Sequence, residues 1–282
     1  MKTILVPVED HDAMPTVLEA ARLIARQFDS YIEGFALYPG PGDFVAVDAL
    51  SNLTVPHSDE SDAEVESRAR GLFDSFMQAH GVPRMSPPPP GQQVTFSYGW
   101  LRPEAETDAF VGSYGRLFDL IVLGRPGRTA QAPRMAPLET ALFESGHPVL
   151  IAPATAPQGI GRNVLLAWNG STEQTRTTAF AMPLLRRAEE VTVLSVEGGM
   201  TPGPAGDEVA VHLRMNGVRA TAITVAPGNR TTGEAILDQA KSRGCDLLVK
   251  GAYTQSRLRQ MVFGGATRHI LANATLPVFM AH

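Results

Sequence analysis

Residues Leu117–Gly124 (LFDLIVLG) and Gly244–Gly251 (GCDLLVKG) are near copies of one another, 127 residues apart. Each is a continuous apolar run with Asp before it and Gly closing it. Such a run suits a strand buried on both faces of a parallel sheet. Two further pairs repeat in the same chain order. Ile4–Glu9 (ILVPVE) aligns with Val164–Asn169 (VLLAWN) at an offset of 160, and His147–Ala152 (HPVLIA) with Leu276–Ala281 (LPVFMA) at an offset of 129. A repeat of this length means a duplicated domain rather than a solenoid.

The unequal offsets place 33 extra residues between the first and fourth strands of the first copy. Two stretches can hold them, Pro39–Glu60 and the Pro-rich Val82–Gln92, whose Pro87–Pro90 can be neither helix nor central strand. The connection between copies is Pro153–Gly161, with two Pro, two Gly and no charge. The expected domains are therefore residues 1–153 and 154–282. In the second copy, strands are predicted near 162–168, 191–196, 219–225, 246–250 and 276–280. Helices are predicted near 171–187, 205–216, 230–243 and 265–273. This alternation implies α/β architecture, two doubly wound domains each with a five-stranded parallel sheet covered by helices.

Charge and composition exclude several classes. The chain has 282 residues and a net charge of −5, a poor match for nucleic acid. That total conceals −9 in residues 1–153 and +4 in residues 154–282, so a small anion would favour the second half. No apolar run is long enough to span a membrane, and the N-terminus lacks the form of a signal peptide. A single cysteine, Cys245, rules out an intrachain disulfide framework, and a cytoplasmic location is expected. The seven histidines show no metal-ligand spacing.

Ligands of open parallel sheets bind beyond the carboxyl ends of strands where the strand order reverses. In the second copy that places Asn169 after the first strand and Gly251 after the fourth. Residues 252–264 follow, and Gly264, Gly265, Ala266 and Thr267 open the last helix. Free N–H groups at such a helix start favour a phosphate. Thr267 adds a hydroxyl, and Arg257 or Arg259 a cation. A plain tight turn into a helix is the competing reading. Ser171, with Gln174 three residues later, reads as a capping box.

The segment from Gly251 to Gly265 resembles the phosphate loop of universal stress proteins, of the form G-x2-G-x9-G-[S/T]. The resemblance covers almost the whole chain, twice. It implies strand order 3-2-1-4-5, pairing of domains through their last strands, and bound ATP or ADP with Mg2+ in members that keep the loop. Gly251 and Gly264 match that pattern. Thr254 stands at the second glycine, Gly265 at the Ser or Thr, and Asn169 at an Asp that approaches the ribose and adenine. In the first copy Gly124 and Gly127 remain. Pro137-Leu138 replaces the glycine pair, and Glu9 follows the first strand; this copy reads as degenerate. Pro137 is expected as the first residue of a helix.

Three functional readings stay open: an adenine-nucleotide-binding stress protein, a nucleotide-free scaffold of the same fold, and a slow ATPase with no catalytic base placed by motif. Intrachain pairing of the two domains is expected, and a further homodimer is left open.

Overall fold

In the computed structural model, the described residues are 1–38, 61–87, 89–102, 107–127, 129, 131–252 and 265–282. Strand β1 (Thr3–Val8) leads through α1 (Met14–Phe28) to β2 (Tyr31–Ala36), then α2 (Asp62–Ala79) and β3 (Ser97–Trp100). Helix α3 (Asp108–Tyr114), β4 (Leu120–Gly124), α4 (Met135–Glu144) and β5 (Val149–Ala152) complete the first half. The second half repeats the order with β6 (Asn163–Ala167), α5 (Thr172–Leu185), β7 (Glu190–Val196), α6 (Gly206–Met215) and β8 (Ala220–Val225). It closes with α7 (Thr232–Ser242), β9 (Leu247–Val249), α8 (Gly265–Asn273) and β10 (Val278–Met280).

The strands form one ten-stranded sheet in the order β3-β2-β1-β4-β5-β10-β9-β6-β7-β8. Neighbours are parallel except at the join, where β5 and β10 run antiparallel with Phe279 opposite Leu150. Each half thus orders its strands third, second, first, fourth, fifth, and the halves meet through their fifth strands. This pairing leaves neither fifth strand as a bare edge.

Successive residues of a strand face opposite sides, so a run without polar residues supplies two apolar surfaces. Ile4, Val6, Val164 and Leu166 face one layer, with α1, α2, α5 and α6; Leu5 and Leu165 face the other, with α3, α4, α7 and α8. Both layers run across both halves. Cross-half bonds reinforce this. Arg125 donates to Ala272 O and Ala274 O at 3.2 and 2.8 Å, and Arg187 donates to Gln27 O. We propose residues 1–153 and 154–282 as the repeat units.

The Asp before each repeated run has a structural task. Asp119 accepts from the N–H groups of Lys2 and of Thr3, the latter at 3.2 Å. Asp246 accepts from the N–H groups of Gly161, Arg162 and Asn163 at 3.1, 3.0 and 3.0 Å. Each carboxylate holds the start of its half's first strand beside its fourth. Asp246→Ala is expected to cost about 2 kcal/mol, since charge-assisted bonds to backbone are worth more than neutral ones. Urea unfolding followed by circular dichroism measures it, and a loss below about 0.5 kcal/mol would refute this role.

Three sequence expectations need correction or placement. Pro137 occupies the third position of α4, not the first; it remains among the helix positions whose N–H lacks an intrahelical acceptor. Ser171 caps α5 by accepting from Gln174 N–H at 3.1 Å, but Gln174 does not complete a capping box. Its Oε1 instead accepts from Gly251 N–H at 2.6 Å. The Pro-rich stretch flanks β3, with Met85 N–H donating to Tyr98 O at 2.9 Å. Residues 39–60, the other expected insertion, lie outside the described residues.

Candidate functional site

In the second half the strand order reverses between β6 and β9, and a cavity of about 210 Å³ opens at their carboxyl ends. Asn169 enters from the end of β6, Lys250 from the end of β9, and Gly265, Ala266 and Thr267 from the first turn of α8. A wider depression of about 800 Å³ adjoins it and shares Thr232, Gly265 and Ala266. Arg230, Arg268 and His269 line that outer part.

Most of the site residues expected from sequence and described here converge on this cavity. Asn169 Oδ1 accepts from Ser171 N–H at 3.2 Å, and its carbonyl accepts from Thr201 N–H at 2.8 Å, which fixes the residue at the rim. Among the described residues, none comes within 4 Å of a Cβ placed at Gly265, so none of them fills the space at the helix start. Thr267 is 3% exposed. Thr254, Arg257 and Gly264 lie outside the described residues.

Gly251 differs from the others. It does not line the cavity but packs against the start of α5, where a Cβ would stand 2.6 Å from Gln174 N. Close backbone approach therefore requires glycine here. Its N–H is taken by Gln174, so the geometry makes it a packing residue.

Sequence reasoning missed Lys250. It is 9% exposed, and Nζ donates to Gly251 O at 2.7 Å and to Thr267 Oγ1 at 3.1 Å. Burial pushes its ammonium down to about 8, because the charged form loses solvation. The available signal was a lysine ending a buried apolar run, at the position where the first copy has Leu123.

The corresponding region of the first half is closed by its own charges. Arg134, capping α4, donates Nε to Glu9 Oε1 at 2.6 Å. Its Nη1 and Nη2 donate to Asp108 at 2.8 and 2.7 Å. Burial alone would lower the Arg134 pKa, but the bonds to Asp108 and Glu9 outweigh it and raise it. The two retained loop glycines serve self-packing. A Cβ at Gly124 would stand 2.4 Å from Pro133 Cγ, and Gly127 N–H donates to Pro133 O at 3.1 Å. Pro137 and the buried Leu138 occupy the first turn of α4, and its first residue, Met135, lines a cavity of about 600 Å³ with Arg125, Gly127 and Pro133.

Other singled-out residues have plain roles. Burial, with Asp246 beside it, pushes the Cys245 thiol up to about 11, so it is not a reactive thiolate near neutrality. His269 packs α8 on α7, where a Cβ at Gly233 would lie 2.7 Å from its own Cβ. Among the described residues no helix is long and apolar enough to cross a membrane, and no three His, Cys, Asp or Glu side chains converge as a metal cluster.

A cavity at the reversal of strand order is where open parallel α/β sheets place small ligands. Residues 161–282 match the model of the universal stress protein family. A universal stress protein from Archaeoglobus fulgidus shares the fold with a TM-score of 0.71 at 14% identity, covering 99% of this chain and 95% of that one. A functionally unknown protein from Pseudomonas aeruginosa PAO1 gives 0.54 at 14% identity, covering 100% and 92% respectively. These likenesses extend the tandem fold over the first half. No curated protein sequence matches the chain.

Proposed function

We propose that the chain is a cytoplasmic stress-response protein whose second half binds an adenine nucleotide, ATP or ADP, with the phosphates at the first turn of α8. The observation that carries this reading is the cavity at the β6–β9 reversal. It is lined by an open helix start, the Thr267 hydroxyl and the buried Lys250 ammonium. The adjoining depression has room for the rest of a nucleotide. Among the described residues no carboxylate lines the deep cavity, so Mg2+ would be held by the phosphates themselves. Among the described residues the lining holds no Asp, Glu or His, and we take any hydrolysis to be slow and incidental. The first half then acts as a structural partner. Neither nucleic acid nor membrane is a proposed partner, and a homodimer beyond the intrachain pair stays open.

Calorimetric titration with Mg-ATP tests this, beside Gly265→Glu. That position is exposed with open space around it, so the variant should fold while placing negative charge and bulk at the phosphates. Binding in the micromolar range that the variant weakens by about a hundredfold or more is expected, a difference of about 3 kcal/mol. No heat from ATP or ADP, with no co-purified nucleotide, would end the reading and leave the nucleotide-free scaffold. That second reading is favoured by the Arg134–Glu9–Asp108 closure of the first half.

A further inference from the structure

Strand β9 is fully buried at Leu247, Leu248 and Val249, and Lys250 continues it, its N–H donating to Phe279 O at 3.0 Å on β10. The side chain is thus carried inward with its charge. Two of the three ammonium donors are used, both on uncharged oxygens, Gly251 O and Thr267 Oγ1. Thr267 accepts from Lys250, which leaves the hydroxyl proton for another acceptor. The helix dipole of α8 adds positive potential at the same place.

Among the described residues no counter-charge bonds to it. The charged and titratable groups on the surrounding elements are Glu173, Arg176 and Arg186 from α5 and its end, Glu190 on β7 and Glu197 just after it, Arg230 before α7, Glu234, Asp238 and Lys241 on α7, Arg268 and His269 on α8, and His282 after β10. None of them bonds to Nζ. The connecting residues 253–264 contain Arg257 and Arg259 but no Asp or Glu. A buried charge without a partner is costly, and proteins normally pair it.

The internal repeat sharpens the point. Glu9 at the end of β1 corresponds to Asn169, and Leu123 on β4 corresponds to Lys250. Both differences move the second cleft toward positive charge. In the first cleft the cation Arg134 is met by Glu9 and Asp108. In the second, the place of the matching acid is neutral.

We propose that the deep cavity holds one phosphoryl group on Lys250 Nζ and Thr267 Oγ1, and that Lys250 sets the requirement for an anionic ligand. The identity of that ligand as a nucleotide rests on the reading above; the charge requirement does not. Lys250 is a binding residue here, and the phosphoryl group takes the part that Glu9 and Asp108 play beside Arg134 in the first cleft.

The test is calorimetry of the full chain at pH 7.5 and 9.5 with Mg-ATP, adenosine and pyrophosphate, in the wild type, Lys250→Met and Lys250→Arg. The secondary phosphate ionisation lies near 6, so the nucleotide keeps its charge across this window while Lys250 loses its proton. ATP should bind about tenfold more weakly at the higher pH and lose at least that much in Lys250→Met, while adenosine is unchanged. Lys250→Arg, charged at both values, should bind ATP without the pH dependence. Should Lys250→Met not fold, loss of the pH dependence in Lys250→Arg carries the test. ATP binding that is equal in wild type and Lys250→Met overturns the role of Lys250 and leaves the nucleotide reading. Pyrophosphate binding that needs Lys250, with no ATP or adenosine binding, overturns the nucleotide reading and supports the anion site. If no anion binds at all, both fall.

Discussion

Lys250→Met is expected to make the ligand-free protein more stable, by about 2 kcal/mol near neutral pH, a rise of roughly 3 °C in the unfolding midpoint. Met is similar in length and apolar, and the strand it would end is buried. The lost bonds to Gly251 O and Thr267 Oγ1 are modest, whereas the lost desolvation penalty is that of an uncompensated cation. The sign against pH follows from linkage. The folded-state value is lowered to about 8, while an unfolded lysine titrates near 10.4. Between them the unfolded chain binds more protons, so wild-type stability rises with pH through that interval. The advantage of Lys250→Met should therefore be full below about pH 8 and shrink toward about pH 10.4. Thermal unfolding of both proteins from pH 7 to 10 measures this. A variant less stable than wild type at every pH would make Lys250 a structural strut between β9 and α8. A stabilising loss of a binding residue is the usual signature of a site kept for function.

Arg134→Met is expected to have the opposite and larger effect, a loss of about 3 kcal/mol. Arg134, Glu9 and Asp108 are mostly buried, with side chains 20%, 14% and 16% exposed. Removing the guanidinium takes from both carboxylates the cation from which each accepts a charge-assisted bond. It also frees the carbonyl of Tyr38, which accepts from Nη2 at 3.4 Å. Replacing all three residues by apolar ones of similar size should recover most of the loss, since the penalty comes from the orphaned charges. Urea unfolding at pH 7 measures both variants. If Arg134→Met stays within about 0.5 kcal/mol of wild type, the ion cluster does not hold the first cleft closed.

The two predictions pull apart two clefts that arose from one repeat. The same strand ends and helix start carry a satisfied ion cluster in one half and an unmatched ammonium in the other. That asymmetry was half legible. The substitution of Pro137-Leu138 for the glycine pair marked the first copy as degenerate, and the structure supplies what closes it. The role of Arg134 was not legible, because Glu9, Asp108 and Arg134 are far apart in sequence and meet only through the packing of β1, α3 and α4.

Local order was written in the chain. The predicted helices and strands of the second half match the observed ones within about two residues at most ends, because long apolar runs and amphipathic stretches each have a period of their own. The paired aspartates before β4 and β9 were visible as a repeated pattern, though their task of holding the neighbouring strand's N–H groups was not. Three matters belonged to tertiary structure alone. Gln174 deserts its helix cap for Gly251, since an N–H delivered from β9 competes for the same oxygen. Gly251 is required by the nearness of α5, a contact between residues 77 apart in the chain. Lys250 is charged and buried because neighbours on both sides hold its strand inside the sheet. The sequence alone determines which segments are strands and helices, since that follows from side-chain periodicity. Which side chains meet at a strand end, and whether their charges cancel, is decided only when distant segments are packed together.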